Sequence, residues 1–192
     1  MSFFKQFENS IILHKSDENT FSMVPSKDYF VGNTPHGGYL TAVMQKALSL
    51  SMPHQHVINS NTLYLDRTEP EEIIVQVKKI RESRGSSVGK VTLIQDNKSR
   101  CMMTGICSDF NYMKGISDLE TFPSKTFDED RDSFISLNFD NNKEDLTPSF
   151  IKQTNCKIAK KHAWWLENNN HLCDEARCAG FISMGKETPN QF

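Results

Sequence analysis

The chain has 192 residues, enough for one large or two small domains around a buried core. Its 22 basic residues stand against 24 acidic ones for a formal charge of −2, and no basic run occurs, so neither nucleic acid nor an anionic membrane surface is the expected partner. No apolar stretch has the length of a signal peptide core or a membrane span, and five cysteines (Cys101, Cys107, Cys156, Cys173 and Cys178) fall in no regular framework; the expectation is a soluble, cytoplasmic protein with reduced thiols that acts on a small molecule.

Residues 3–14 are aromatic and amphipathic and suit a short lead-in helix or strand. Asn19 to Val24 reads as a first strand, resumed after a Pro-Ser-Lys-Asp break by Tyr29 to Val31. The stretch from Gly32 to Ser51 organises the rest. Pro35 and the pair Gly37-Gly38 punctuate a loop, and from Tyr39 the apolar residues Leu40, Val43, Met44, Ala47 and Leu48 recur at helical spacing. A helix is therefore expected to begin at the glycines. Apart from Lys46 it is uncharged, and its polar stripe is Thr41, Gln45 and Ser49 at four-residue spacing, so most of its surface is expected to be buried. Met52-Pro53 ends it, because proline disfavours helical geometry in the residue before it.

Four strand-like runs follow. Val57 to Leu65 leads through the turn-rich Asp66-Arg67-Thr68-Glu69-Pro70 to Ile73–Glu82, where Ile73, Val75 and Val77 alternate with Ile74, Gln76 and Lys78 at the period of a strand. Arg84-Gly85-Ser86 turns into Val88 to Gln95, and Asp96-Asn97-Lys98 turns into Arg100 to Phe110, a hairpin. A strand, one long apolar helix and four antiparallel strands make an α+β unit whose curved sheet must wrap the helix to bury it.

The start of such a helix carries unpaired N–H groups and the positive end of the macrodipole, and glycines there let a ligand oxygen approach the main chain. The amides of Gly37 and Gly38 are thus candidates to polarise a carbonyl, with His36 shaping the loop; a plain strand-to-helix turn is the competing explanation. Asn33, just before the turn, either hydrogen-bonds a ligand or caps the loop. Gly85-Ser86-Ser87-Val88-Gly89 has the form of a nucleophile elbow, but that device joins a strand to a helix and this stretch joins two strands, so a hairpin is expected. Neither His54 with His56 nor the group His162, His171, Cys173 and Cys178 has usable zinc spacing, and no metal or other cofactor is expected. Trp164 and Trp165 are expected to pack a core or an interface.

The order of elements, together with Val31-Gly32-Asn33-Thr34-Pro35-His36-Gly37-Gly38-Tyr39-Leu40, Leu63-Tyr64-Leu65, Arg81-Glu82-Ser83-Arg84-Gly85 and Val91-Thr92-Leu93-Ile94-Gln95, resembles the N-terminal half of the double-hotdog, TesB-like acyl-CoA thioesterases. The resemblance implies a hotdog domain over residues 1–110. Residues 111–149, rich in charges and amides, then form a linker, and residues 150–192 start a second hotdog unit, with a strand from Phe150 to Trp165 and a helix from about Cys173 to Met184. In that family an Asp near the end of the second helix, with a Thr and a Gln on later strands, organises the hydrolytic water. Met184 stands at the place of that Asp, and the chain stops at Phe192 before the other two, so the second unit is expected to be incomplete. In single-hotdog thioesterases with a His-Gly-Gly opening, an acidic residue two turns along the helix is the base or nucleophile; here that place is Gln45, which can orient water but cannot take its proton at neutral pH.

The resemblance thus makes the chain acyl-CoA thioesterase-like, a hydrolase or binder of acyl thioesters, or alternatively an inactive acyl-thioester-binding or assembly subunit. Gly37, Gly38 and Gln45 are the candidate catalytic residues. Asn33, His36, Tyr39, Thr41, Tyr64 and Arg67 are the candidate substrate-binding residues, although an Arg in a turn is usually only solvated. A homodimer or higher homo-oligomer with sheets edge to edge is expected.

Overall fold

The computed structural model describes residues 2–112, 133–137, 148–163 and 179–184. The chain divides into two units, Gln6–Gly115 and Ile116–Phe192 together with Met1–Lys5. In chain order, the elements up to the end of the first sheet are α1 (Phe3–Ser10), β1 (His14–Asp17), β2 (Thr20–Met23), β3 (Phe30–Val31), β4 (Thr34–Pro35), α2 (Gly37–Ser51), β5 (His56–Tyr64), β6 (Ile73–Glu82), β7 (Ser87–Gln95) and β8 (Lys98–Ser108).

Helix α2 forms where its 3.6-residue apolar pattern predicts. Tyr39, Leu40, Val43, Met44, Ala47 and Leu48 are all buried. They lie against an antiparallel sheet of order β1-β2-β6-β7-β8-β5. The strands present alternate residues inward: Ile73, Val75 and Val77 on β6, Val91 and Leu93 on β7, Cys101, Met103 and Cys107 on β8. Each such aliphatic side chain contributes on the order of 1.5–3 kcal/mol by leaving water. The last hairpin closes on Asp96 and Asn97, both at positive φ (51° and 58°), as the tight two-residue turn of a twisted ribbon requires.

Gly89 and Gly105 are register partners on β7 and β8. A Cβ at Gly89 would lie 2.5 Å from Met52 Cε and 2.6 Å from Leu48 Cδ1, and one at Gly105 would lie 2.5 Å from Leu48 Cδ2. The pair therefore forms a hollow into which the end of α2 seats Leu48. At the opposite end of the helix, the long β5–β6 connection is clamped by Gln95. Its side-chain carbonyl accepts from Glu69 N–H at 2.8 Å, and its amide donates to the carbonyls of Glu69, Glu71 and Glu72 at 3.2, 3.3 and 3.4 Å.

Three short elements depart from the sequence expectation. Strand β1 is exposed throughout its length, so no apolar alternation announced it; it pairs with β2 through backbone bonds. The β3–β4 ribbon has two residues on each side, too few to show a period, and turns at Gly32 (φ +58°). Tyr29, where a strand is expected to resume, instead ends a 3-10 turn over Lys27–Tyr29.

In the second unit, β9 (Phe134–Ser136), the short α3 (Ser149–Lys152), β10 (Asn155–Ala159) and β11 (Gly180–Ser183) are described, with strand order β11-β10-β9. The strand expected across Phe150 to Trp165 is thus shorter and preceded by a helical turn. The helix expected up to Met184 is corrected at its end: Gly180–Ser183 is a strand paired with Asn155–Ile158. A Cβ at Gly180 would overlap the Lys157 carbonyl oxygen, so this glycine serves a close strand-to-strand approach. With it goes the placement of Met184 at the end of a helix. His162 is buried, and its Nδ1 accepts from Ala179 N–H at 3.0 Å, a structural use. Trp164, Trp165, His171, Cys173, Cys178 and most of the expected linker lie outside the described residues, but Phe134–Ser136 within that linker is a strand of this sheet.

Two tests follow from this packing. Leu48→Ala should cost about 2–5 kcal/mol and Gly105→Ala about 1–3 kcal/mol in urea unfolding. The double variant should lose less than the sum, because the shortened Leu48 vacates the space the new Cβ needs. Burial pushes the Cys101 and Cys107 thiols above their ordinary value. Less thiolate forms at any given pH, so mass spectrometry should find both unalkylated by iodoacetamide at about pH 8 until the protein unfolds.

Candidate functional site

His36 caps α2 with extended geometry (φ −62°, ψ 137°) and makes no side-chain capping bond. Its backbone is fixed on both sides: its N–H donates to Tyr29 O at 2.8 Å, and its carbonyl accepts from Leu40 N–H at 3.1 Å. No acidic side chain stands in the first turn. The positive helix end, equivalent to about half a charge, is therefore not neutralised from within the helix. Gly37 is half-buried and Gly38 exposed. A Cβ on Gly38 would meet the His36 ring at 3.1 Å, which places the imidazole directly beside that residue.

Tyr64, at the end of β5, covers Gly37. Its ring would lie 3.0 Å from a Gly37 Cβ, and its hydroxyl donates to Gly37 O at 2.8 Å. Thr41 Oγ1 is hydrogen-bonded to the same hydroxyl at 2.7 Å and to Thr62 Oγ1 at 3.3 Å. One turn further on, Gln45 Nε2 donates to Ser60 Oγ at 2.8 Å, and Ser49 Oγ donates to Gln55 O at 2.7 Å. The polar stripe of α2 thus faces β5, an edge strand of the sheet. Ser60 and Thr62 were not singled out from the sequence. The alternation Ser60-x-Thr62-x-Tyr64, opposite Thr41 and Gln45, was the available signal.

The other candidates lie apart from this cluster in their bonding. Tyr39 is buried, its hydroxyl donating to Ser10 O at 2.6 Å and accepting from Ser26 N–H at 3.2 Å while its ring stacks on Tyr29 at 5.0 Å. Burial, only partly offset by these bonds, raises its pKa. Asn33 is exposed in the β3–β4 turn. Arg67 is exposed on the β5–β6 connection and pairs with Glu69 at 3.3 Å. Its backbone N–H, ahead of the Arg100 charge, holds the Asp66 carboxyl below its ordinary range.

Ser87, the centre of the elbow-like sequence, opens β7 and is fully buried, its hydroxyl 3.2 Å from His54 Nδ1. His54 Nε2 lies 3.3 Å from Arg84 O. This serine–histidine pair ties the segment after α2 to the β6–β7 hairpin. His56 stacks on Phe110 at 4.1 Å and lies 3.9 Å from Asp109. Among the described residues no three His, Cys, Asp or Glu side chains gather as metal ligands, and no helix is long and apolar enough to cross a membrane.

Residues 26–108 match the family described as the acyl-CoA thioesterase N-terminal domain. A Thermobifida fusca protein provisionally named thioesterase II has a similar structure, with 14% identity and a TM-score of 0.69 over 85% of this chain and 59% of that one. A conserved Alicyclobacillus acidocaldarius protein of unknown function with a hot dog fold gives 15% identity and a TM-score of 0.64 over 80% and 55%. The tesB protein of Mycobacterium avium subs paratuberculosis gives 18% and 0.54 over 70% and 54%. The chain has the hotdog fold and spans little more than half the length of these proteins. No curated protein matches it significantly by sequence.

The closeness of Tyr64 to Gly37 generates a test. Gly37→Ala should lower the melting temperature by forcing the Tyr64 ring aside, and the further change Tyr64→Ala should remove that added cost. Thermal unfolding of the two single variants and the double variant measures the coupling.

Proposed function

We propose that this chain, whose residues 26–108 match the acyl-CoA thioesterase N-terminal domain and fold as a hotdog, binds an acyl thioester at the start of α2 and hydrolyses it slowly. The observation that carries this is the uncapped first turn: two glycines, no acidic neighbour in that turn, and no side-chain cap. A thioester carbonyl oxygen placed there receives the Gly37 and Gly38 amides and the helix dipole as negative charge develops on it. Gln45, already oriented by Ser60, then positions water. An amide cannot accept the water proton, so hydrolysis proceeds without a general base from this position.

His36, Thr41 and Tyr64 line the approach in this proposal, and Asn33 and Arg67 serve as outer contacts for the thioester's carrier. Tyr39 acts through the loop it anchors. A second proposal, an inactive acyl-thioester-binding or assembly subunit, draws on the same amide at Gln45. Because β5 is an edge strand, we also propose a homo-oligomer that joins sheets edge to edge. We further propose residues 1–110 as a hotdog domain, 111–149 as a linker that lends Phe134–Ser136 to the second unit's sheet, and 150–192 as the beginning of that unit. Buried thiols at Cys101 and Cys107 suit a reducing setting, which we take to be the cytoplasm.

Release of free CoA thiol from a panel of acyl-CoAs tests the first proposal. Gly37→Val should abolish turnover, and Gln45→Glu should raise it by about tenfold or more, by supplying a proton acceptor. Binding without turnover in the native protein would leave the inactive subunit; neither binding nor turnover would reject both. Light scattering that shows a monomer at micromolar concentration would reject the oligomer.

A further inference from the structure

Resting on the reading that a thioester carbonyl sits at the start of α2, we propose that the acyl group it carries is short and uncharged and bears a hydroxyl or keto oxygen. Long alkyl chains are disfavoured. The apolar side of α2 leaves no room for such a chain: Val43, Met44, Ala47 and Leu48 have no exposed surface, and Leu48 and Met52 press into the hollow over Gly89 and Gly105. The half-buried side runs along β5 instead. There Thr41, Gln45 and Ser49 are half-buried opposite Ser60, Thr62 and the more exposed Tyr64. Every one of these side chains carries a hydroxyl or an amide, and none carries a charge.

The geometry sets what this seam accepts. At 1.5 Å of rise per residue, Thr41 stands about 5 Å beyond the first-turn amides, within reach of an oxygen on the second or third carbon of an acyl chain. One turn on, the Gln45 amide gives its hydrogen to Ser60 Oγ. The Ser60 proton and the Gln45 carbonyl oxygen then have no partner among the described residues. Together they can donate to and accept from one hydroxyl, and Ser60 alone can donate to a keto oxygen. An alkyl chain laid along the seam would displace water from these groups and return no hydrogen bond. A carboxylate substituent would meet no cation there.

Matched acyl-CoAs test this on the full chain: butanoyl-, 3-hydroxybutanoyl-, 3-oxobutanoyl- and dodecanoyl-CoA, followed by calorimetric binding and by thiol release. The oxygenated esters should be favoured over butanoyl-CoA by about tenfold, the scale of one hydrogen bond gained in a partly buried site. Dodecanoyl-CoA should be the poorest ligand. Thr41→Val combined with Gln45→Leu should erase the preference and improve dodecanoyl-CoA; should that variant not fold, the comparison in the native protein decides alone. If butanoyl- or dodecanoyl-CoA equals or exceeds the oxygenated esters, the seam inference is overturned while the thioester reading stands. If no CoA ester binds, the thioester reading falls and this inference falls with it.

Discussion

The structure depends on one constraint, the burial of an almost uncharged helix. A helix as apolar as α2 cannot rest on a flat surface, because one face of contact would leave much of it in water. The sheet meets the demand by curving. Strands β6, β7 and β8 supply aliphatic side chains, and at Gly89 and Gly105 they supply no side chain at all, so that Leu48 can approach the backbone. Close packing makes this seat specific, since adding or removing a single methyl group there is felt.

Once the helix is held along its length, its first turn is held too. The chain enters α2 through the β3–β4 ribbon, which fixes the His36 backbone, while Gln95 ties down the connection that leaves β5 at the same end. An uncapped helix start in a loosely held segment would find water or a neighbouring side chain. Here two glycines present it with little side-chain cover of their own. The fixed position of those backbone amides follows from the same burial that makes the core.

The large elements were legible because periodicity reports burial. Ile73–Glu82 appears in the sequence with the bounds it has in the structure, and α2 begins at the glycines. Elements that bury little left no such trace. His14–Asp17 is a strand by backbone pairing alone, and Gly180–Ser183 looked helical because glycine, phenylalanine and isoleucine in a short run do not separate the two periods. At the candidate site, the glycine turn and the Thr41–Gln45–Ser49 stripe could be read from local spacing. The alternation of Ser60, Thr62 and Tyr64, the last of them a candidate already, was visible too, but not which helix residue each would meet, because the register between a helix and an edge strand is a tertiary fact.

The polar stripe has a further physical role, independent of any ligand. Among the described residues strand β5 pairs on one side only, and an edge strand with an apolar inner face could slip its register or recruit another chain. Hydroxyls and an amide make that face directional: Gln45 finds Ser60, and Thr41 finds Thr62 and Tyr64. A slip of one residue would turn Asn59, Asn61 and Leu63 toward the helix and break all of these bonds at once. The device that pins the edge strand therefore also leaves a row of oriented, uncharged donors and acceptors beside the helix start. An acidic residue in place of Gln45 would set a carboxylate in a half-buried seam whose described side chains, Thr41, Ser49, Ser60, Thr62 and Tyr64, include no cation to compensate it. The neutral amide is the choice consistent with holding the strand.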